Sequence, residues 1–343
     1  MSKLDAIQNL LSNDLRVFRE PFFNNMIEVR EGFKGGSTEG GGAFYRVPDL
    51  GYFETWYING IVGGRRPSTY SESPGLWNRY FIKTGIKGVL FGLDLPPEHD
   101  FNEFFMKVFD VPQMIDLTIT DPYKQNAFEA LMQARIPVKW SDQAINTGSV
   151  NHIIMNNKTE EFLALNTDGI GMFRAIEKKA DIHWKKVLII GAGGSAASIG
   201  YEFVNTGCEL TVANRTPGKA EDLLKKIAGF AKPNAGKRWG GFEGLDTFLK
   251  EADIIINTVP QGCPIDKENI TKIKEGAVIA ETKYGPKADL KDMALQKGIE
   301  YVDGRSMLFE QFVEAATSVF PLLGISKVEH EKVIKEMEKI NNI

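Results

Sequence analysis

Val187-Leu-Ile-Ile-Gly-Ala-Gly-Gly-Ser-Ala196 is the stretch that decides how this chain folds. Four apolar residues, Val187 to Ile190, run into Gly191-Ala192-Gly193-Gly194-Ser195-Ala196, and a helix-compatible segment follows to Asn205. An apolar run, a glycine turn and a helix open a nucleotide-binding βαβ unit. The glycines permit the tight turn and let backbone N–H groups approach a pyrophosphate at the positive end of the helix. Ala196 occupies the place of the third glycine in G-x-G-x-x-G, where another small residue serves. Such a loop can also be a plain turn. The apolar run Glu209-Leu-Thr-Val-Ala213 supplies the context, arriving where a second strand is due. That strand runs into Asn214-Arg215-Thr216-Pro217-Gly218-Lys219, with no Asp or Glu to hold a ribose 2′-hydroxyl. Two cations at that point attract a 2′-phosphate, so the spacing favours NADP over NAD.

Working outward, a length of 343 residues suggests two domains. A chain 43% hydrophobic and 25% charged can build a sizeable core. Its net charge of -4 gives no reason to expect nucleic acid or an anionic membrane as partner. Cys208 and Cys263 stand far apart, and His99, His152, His183 and His330 show no ligand spacing, so reduced thiols and no metal are expected. Without a membrane-length apolar run, or a signal-peptide core after Met1, the expected location is the cytoplasm.

Residues 1–50 are the least readable, with a short amphipathic helix expected over Leu4 to Phe18 and a surface loop over Gly35 to Gly42. Thr55–Val62, Gly88–Leu95, Met114–Thr120 and Ile136–Trp140 read as strands, with helices expected at Asp100–Phe109 and Gln125–Arg135. Strands alternating with helices imply a mainly parallel sheet. In Tyr70-Ser71-Glu72-Ser73-Pro74, Pro74 suits the first turn of a helix and Ser73 its N-cap. Capping leaves Ser71 unexplained, and two hydroxyls on a strand-to-helix loop can bind a carboxylate. Lys124 follows a strand end, where α/β sheets place ligands, although most lysines are only solvated surface charges. Gly148–Met155 and Phe162–Gly169 read as a hairpin turning at Asn156-Asn157-Lys158. His152 is flanked by apolar residues and reads as structural, while Asp168 reads first as a helix N-cap. Asp253–Val259, Gly276–Lys283 and Gly298–Asp303 continue the alternation, and Ser326–Ile340 is a charged helix with a solvated face.

Taken together, these segments resemble the shikimate dehydrogenase family. Ser71-Glu-Ser73-Pro74 with Asn78 is similar to its serine loop, and Thr120-Asp-Pro-Tyr-Lys124 to its T-x-P-x-K segment. Gly148-Ser-Val-Asn151 resembles its G-A-V-N turn, and Asn166-Thr-Asp168-Gly169 its N-T-D-G. Gly191–Gly194, Asn214-Arg-Thr216, Asn257-Thr-Val-Pro260-Gln-Gly262, Tyr284 and Asp303-Gly304 to Gln311 extend the likeness over roughly residues 55 to 320. It implies an α/β fold of two domains. A substrate domain (51–167, with 1–50 as an extension) would precede a Rossmann NADP domain (168–303), and helices in 304–343 would return to the substrate domain.

The resemblance also implies roles. Ser71 and Ser73 would take the substrate carboxylate, while Thr120, Asn151, Tyr284 and Gln311 would contact the rest of the substrate. Lys124 and Asp168 would be the catalytic pair. Gly191, Ala192, Gly193, Gly194, Ser195, Ala196, Asn214, Arg215, Thr216, Lys219, Thr258 and Gly304 would bind NADP. The implied reaction is hydride transfer between NADPH and 3-dehydroshikimate in a monomer or homodimer. Tyr70 and Trp77 stand where the family usually has His, and Thr118 where it usually has Asn. These departures surround the carboxylate end, leaving quinate or an amino analogue of shikimate as alternative substrates. A non-catalytic metabolite sensor is the competing reading from another class, as is an interaction protein docking through residues 1–50.

Overall fold

A computed structural model of the chain describes residues 57–64, 67, 70–95, 100–109, 114–229, 236–285 and 288–341. The helix expected at Leu4 to Phe18 and the loop at Gly35 to Gly42 lie outside the described residues. The chain divides into two units, one running to Asn166 and resuming at Ala315–Ile343, the other Thr167–Glu314.

The first unit begins β1 (Tyr57–Gly63), α1 (Ser73–Thr84), β2 (Gly88–Asp94), α2 (Phe101–Val108), β3 (Met114–Ile119) and α3 (Lys124–Gln133). It continues with β4 (Val138–Trp140), α4 (Asp142–Thr147), β5 (His152–Asn156) and β6 (Glu161–Leu165). The sheet order is β2-β1-β3-β5-β6-β4. β1 runs parallel to β2 and β3, and β4 to β6, while β5 is antiparallel to both its neighbours. Alternation sends Ile58, Val62, Leu117 and Ile119 into a core with Phe101, Phe104 and Phe105 of α2. Pro74 sits in the first turn of α1 as expected, but the N-cap is Glu72, not Ser73. Ser73 is already helical, and its N–H donates to Ser71 Oγ at 3.2 Å. The serine two residues earlier therefore takes the first N–H of the helix.

The second unit holds α5 (Asp168–Glu177), β7 (Lys186–Ile190), α6 (Gly194–Val204), β8 (Glu209–Ala213), α7 (Pro217–Ala228) and β9 (Lys237–Gly240). α8 (Leu245–Glu251), β10 (Ile254–Asn257), β11 (Val278–Glu281), α9 (Lys291–Gln296) and β12 (Glu300–Val302) complete its sheet. The order β12-β11-β10-β7-β8-β9 is parallel throughout, and the direction of winding reverses between β7 and β10. Burial on both faces explains the unbroken apolar run of β7. Val187 and Ile189 join a core with Ile199 and Phe203, while Leu188 and Ile190 join one with Leu249 and Ile279. β9 was not among the expected strands. The N-cap of α5 is Thr167, so Asp168 is its first helical residue rather than its cap.

α10 (Gly304–Val319) and α11 (Lys327–Asn341) end the chain. Residues 304–343 do not all side with the first unit, because the division falls at Glu314 within α10. Ion pairs Lys178–Glu310 (2.7 Å) and Arg174–Glu314 (2.8 Å) tie the early part of α10 to α5. At Gly171 a Cβ would lie 2.9 Å from Met307 O, so only glycine permits that approach. In the first unit α11 packs on α1 and buries His330, Val333 and Met337 along a helix rich in charged residues. Tyr80 Oη lies 2.8 Å from His330 Nδ1, and Lys83 pairs with Glu336 at 3.0 Å. No helix among the described residues is long and apolar enough to cross a membrane.

Candidate active site

In the first unit, three of the singled-out segments converge at the carboxyl end of β1. A Cβ on Gly63 would lie 2.4 Å from Thr120 Cγ2 and 3.5 Å from Pro67 Cδ, and Pro67 O accepts from Ser71 N–H at 3.0 Å. Ser71 and Ser73 are both buried. Because Ser71 Oγ accepts from Ser73 N–H, its own proton remains available to an anionic acceptor. Asn78 has a different task. Its Nδ2 donates to Leu90 O (3.0 Å) and its Oδ1 accepts from Leu90 N–H (2.6 Å), completing the open edge of β2. Trp77 is 1% exposed and packs against Phe81, so its bulk is used in the interior.

Thr120 and Lys124 flank a cis Asp121–Pro122 bond, and Lys124 opens α3 half-buried. Tyr123 fixes this segment from below, its Oη donating to Leu95 O at 3.0 Å and its ring stacking on Phe101. Lys124 O accepts from Val150 N–H (3.0 Å), and Asn151 O accepts from Ile119 N–H (2.7 Å). The backbone thus brings Thr120, Lys124 and Asn151 together. Gly148 supports the turn with φ 61°, and Asn166 Nδ2 donates to Ser149 O at 3.0 Å. His152 lies opposite Thr118 across the β3–β5 pair, its Nδ1 3.3 Å from Thr118 Oγ1 and 3.2 Å from Asp116 Oδ1. Asp116 is fully buried and also accepts from Asn59 Nδ2 at 3.5 Å. That buried pair gives His152 the structural place expected of it. Nothing in the sequence pairs Asp116 with it beyond a charge standing inside an apolar strand.

In the second unit, Asp168 is 2% exposed and held from two directions. Its Oδ2 accepts from Ser195 Oγ and its Oδ1 from Gln311 Nε2, each at 3.1 Å. Ser195 therefore points at Asp168 from the first turn of α6, and Gln311 does so from α10. Gly169 makes this possible. A Cβ there would lie 2.2 Å from Ser198 O, which explains a glycine directly after the aspartate.

Most of the remaining positions, though not Gly194 or Ala196, line a cleft of about 240 Å3 formed by Gly191, Ala192, Gly193, Asn214, Arg215, Thr216, Lys219, Thr258, Val259 and Pro260. It lies where the winding reverses, the usual ligand position in such sheets. Gly191 adopts φ 111°, and Thr258 Oγ1 would sit 2.3 Å from a Cβ on it while donating to Ile190 O at 2.8 Å. Gly193 has open space where a side chain would project. No side chain caps α6, which leaves its first N–H groups as the donors that a phosphate at this helix start would need. Ala196 is fully buried, as a third small residue must be. Arg215 and Lys219 are exposed at the cleft with no carboxylate between β8 and α7. These features fit a dinucleotide carrying a 2′-phosphate. Gly304 stands apart from the cleft lining, where a Cβ would meet Thr282 O at 2.5 Å. Tyr284 is half-buried under the Arg305 guanidinium, 6.0 Å from the ring centre. Val259 and Pro260 line the cleft unforeseen, although the stretch containing them stood out in the sequence.

A model of the family described as Shikimate / quinate 5-dehydrogenase matches residues 174–280. The shikimate dehydrogenase (NADP(+)) of Methanococcus maripaludis is 30% identical over 261 residues, 74% of this chain and 87% of that protein. A shikimate dehydrogenase solved in complex with NADP+ superposes with a TM-score of 0.66 at 24% identity, covering 83% of this chain and 96% of that one. The quinate dehydrogenase of Corynebacterium glutamicum, solved with NAD, gives 0.66 at 22% identity over 82% and 99%. At those identities the two structures speak for the fold, a two-domain α/β architecture with a Rossmann unit. The relative matched over most of its length decides the family, and the chain belongs to the shikimate dehydrogenases.

Proposed function

We propose that this chain is an NADP-dependent oxidoreductase that interconverts 3-dehydroshikimate and shikimate. The observation that carries the reading is the glycine-turned cleft of the second unit, with Arg215 and Lys219 at the place where an NAD site keeps an acid. Relatives named shikimate dehydrogenase (NADP(+)) support it. In this reading the first unit is the substrate domain and the second the NADP domain, with the chain a cytoplasmic monomer or homodimer.

The bound nicotinamide supplies or accepts the hydride at the reacting carbon. The protein has to deliver or remove a proton at the adjoining oxygen and stabilise charge that develops there. Lys124 is the group for both tasks, with Asp168 as its partner in orienting the substrate hydroxyl. Support for Asp168 comes from its fixed state, since two donors hold both carboxylate oxygens in a buried place. The tie from Ser195 couples this carboxylate to the helix that opens at the glycine turn. Ser71 and Ser73 donate to the substrate carboxylate, Thr120, Asn151 and Gln311 bind ring hydroxyls or the reacting oxygen, and Tyr284 completes the substrate contacts.

Quinate is the second substrate to weigh, because Tyr70 and Trp77 alter the serine loop where the family usually has His. The test is NADP+ reduction with shikimate, quinate and aminoshikimate side by side, with NAD+ as control. The expected result is turnover with shikimate and NADP+. NADPH binding without turnover of any acid would sink the enzymatic reading and leave a metabolite sensor.

A further inference from the structure

Asn257 and Glu281 end β10 and β11 as register partners, and both are fully buried. Glu281 Oε1 accepts from Asn257 Nδ2 at 2.7 Å, while its Oε2 accepts from Leu290 N–H (2.8 Å) and Tyr301 O–H (3.0 Å). A carboxylate offers only acceptors, so every group facing Glu281 must be a donor. That condition turns the nitrogen of the Asn257 amide toward Glu281 and its oxygen the other way. There Asn257 Oδ1 accepts from Val259 N–H at 3.2 Å. Val259 belongs to the wall of the nucleotide cleft with Thr258 and Pro260.

We infer that Glu281 is a positioning residue for the NADP cleft, acting through the amide orientation of Asn257 on the Thr258-Val259-Pro260 wall. The inference rests on the reading of that cleft as the NADP site. Its consequence concerns hydrogen-bond polarity. In Glu281→Gln, the new oxygen can keep Leu290 N–H and Tyr301 O–H, which leaves the new NH2 facing Asn257 Nδ2. Either two donors then confront each other, or the Asn257 amide turns over and presents Nδ2 to Val259 N–H. With both residues fully buried, no water relieves the conflict, and one donor stays unpaired. Exchanging the chemistry across the pair removes the conflict. In Asn257→Asp with Glu281→Gln, the glutamine NH2 donates to one aspartate oxygen and the other accepts from Val259 N–H.

The experiment titrates NADPH into the full-length wild type, Glu281→Gln and the double exchange, following nicotinamide fluorescence, with a thermal melt of each protein. Glu281→Gln is expected to raise the NADPH Kd about tenfold, the scale of one buried donor left unpaired. The double exchange is expected to return it to within about threefold of wild type, a recovery that a space-filling role for Glu281 does not predict. Should Glu281→Gln fail to fold, the double exchange decides alone: folding and binding near wild type support the relay, and failure to fold overturns it. An unchanged Kd in the single variant, or a double exchange no better than the single, also overturns it. A wild type that binds no NADPH removes the cofactor reading itself, an outcome distinct from these.

Discussion

Replacing Gly169 by alanine tests the helix contact that carries Asp168. The added Cβ would lie 2.2 Å from Ser198 O, 2.7 Å from Glu202 Cγ and 2.8 Å from Ser198 C. Glu202 can swing aside, but the other two atoms are backbone of α6. Ordinary contact begins at 3.4 Å, so α5 and α6 have to separate by about 1 Å. Overpacking of this kind costs about 1–3 kcal/mol, toward the upper end where the obstacle is backbone. For a unit of this size that is a fall of about 4–10 °C in Tm. The same displacement stretches the Ser195–Asp168 bond, already 3.1 Å, beyond useful length. A carboxylate misplaced by about 1 Å lowers kcat by about 10- to 100-fold. Calorimetry and steady-state kinetics on the purified variant read both effects. A Tm within about 1 °C of wild type with unchanged kcat would refute the helix spacing and, with it, the explanation of the glycine.

Lys124→Ala should lower kcat by about 10²–10⁴-fold with little change in KM, and near-wild-type turnover would remove Lys124 from the chemistry. Arg215→Ser together with Lys219→Ser should cut kcat/KM for NADP+ by about tenfold or more and leave NAD+ almost unaffected, because only the 2′-phosphate loses partners. Equal losses with both nucleotides would refute that assignment. His330 is buried between Tyr80, Thr317 and the stacked ring of Phe320, and burial lowers its pKa, with Glu331 acting weakly the other way. A lowered folded value means the unfolded chain takes the proton first as pH falls. Stability from a neutral His330 is therefore full above about pH 6.5 and is lost below it. Urea midpoints compared with His330→Gln across that window should show a steeper acid loss in the wild type. Parallel curves would count against it.

The βα alternation was legible because buried parallel strands write themselves as apolar runs, as Val187–Ile190 and Ile254–Ile256 do. β9 left no such trace: Lys237-Arg-Trp-Gly240 lies on an edge, with Arg238 and Trp239 exposed. Cap positions were off by one residue at α1 and α5: Ser71, not Ser73, takes the first N–H of α1, and Asp168 accepts from Ser195 and Gln311. The glycine cleft could be read because its ten lining residues come from a few short motifs. The pairs Asp116–His152 and Asn257–Glu281 could not, since partners 36 and 24 residues apart meet only after the sheet has formed. The trace each leaves is a charged residue within a run that should be apolar.

The contact between Asp168 and Gln311 has a meaning for the history of the chain as well. These residues stand close to the first and last positions of the Thr167–Glu314 unit, and their side chains touch at 3.1 Å. The nucleotide-binding segment thus begins and finishes at neighbouring points, so a host sequence can take it in at a single break. Such a segment behaves as a cassette. Its exit lies inside α10, so a module taking its place has to hand the host that helix unbroken.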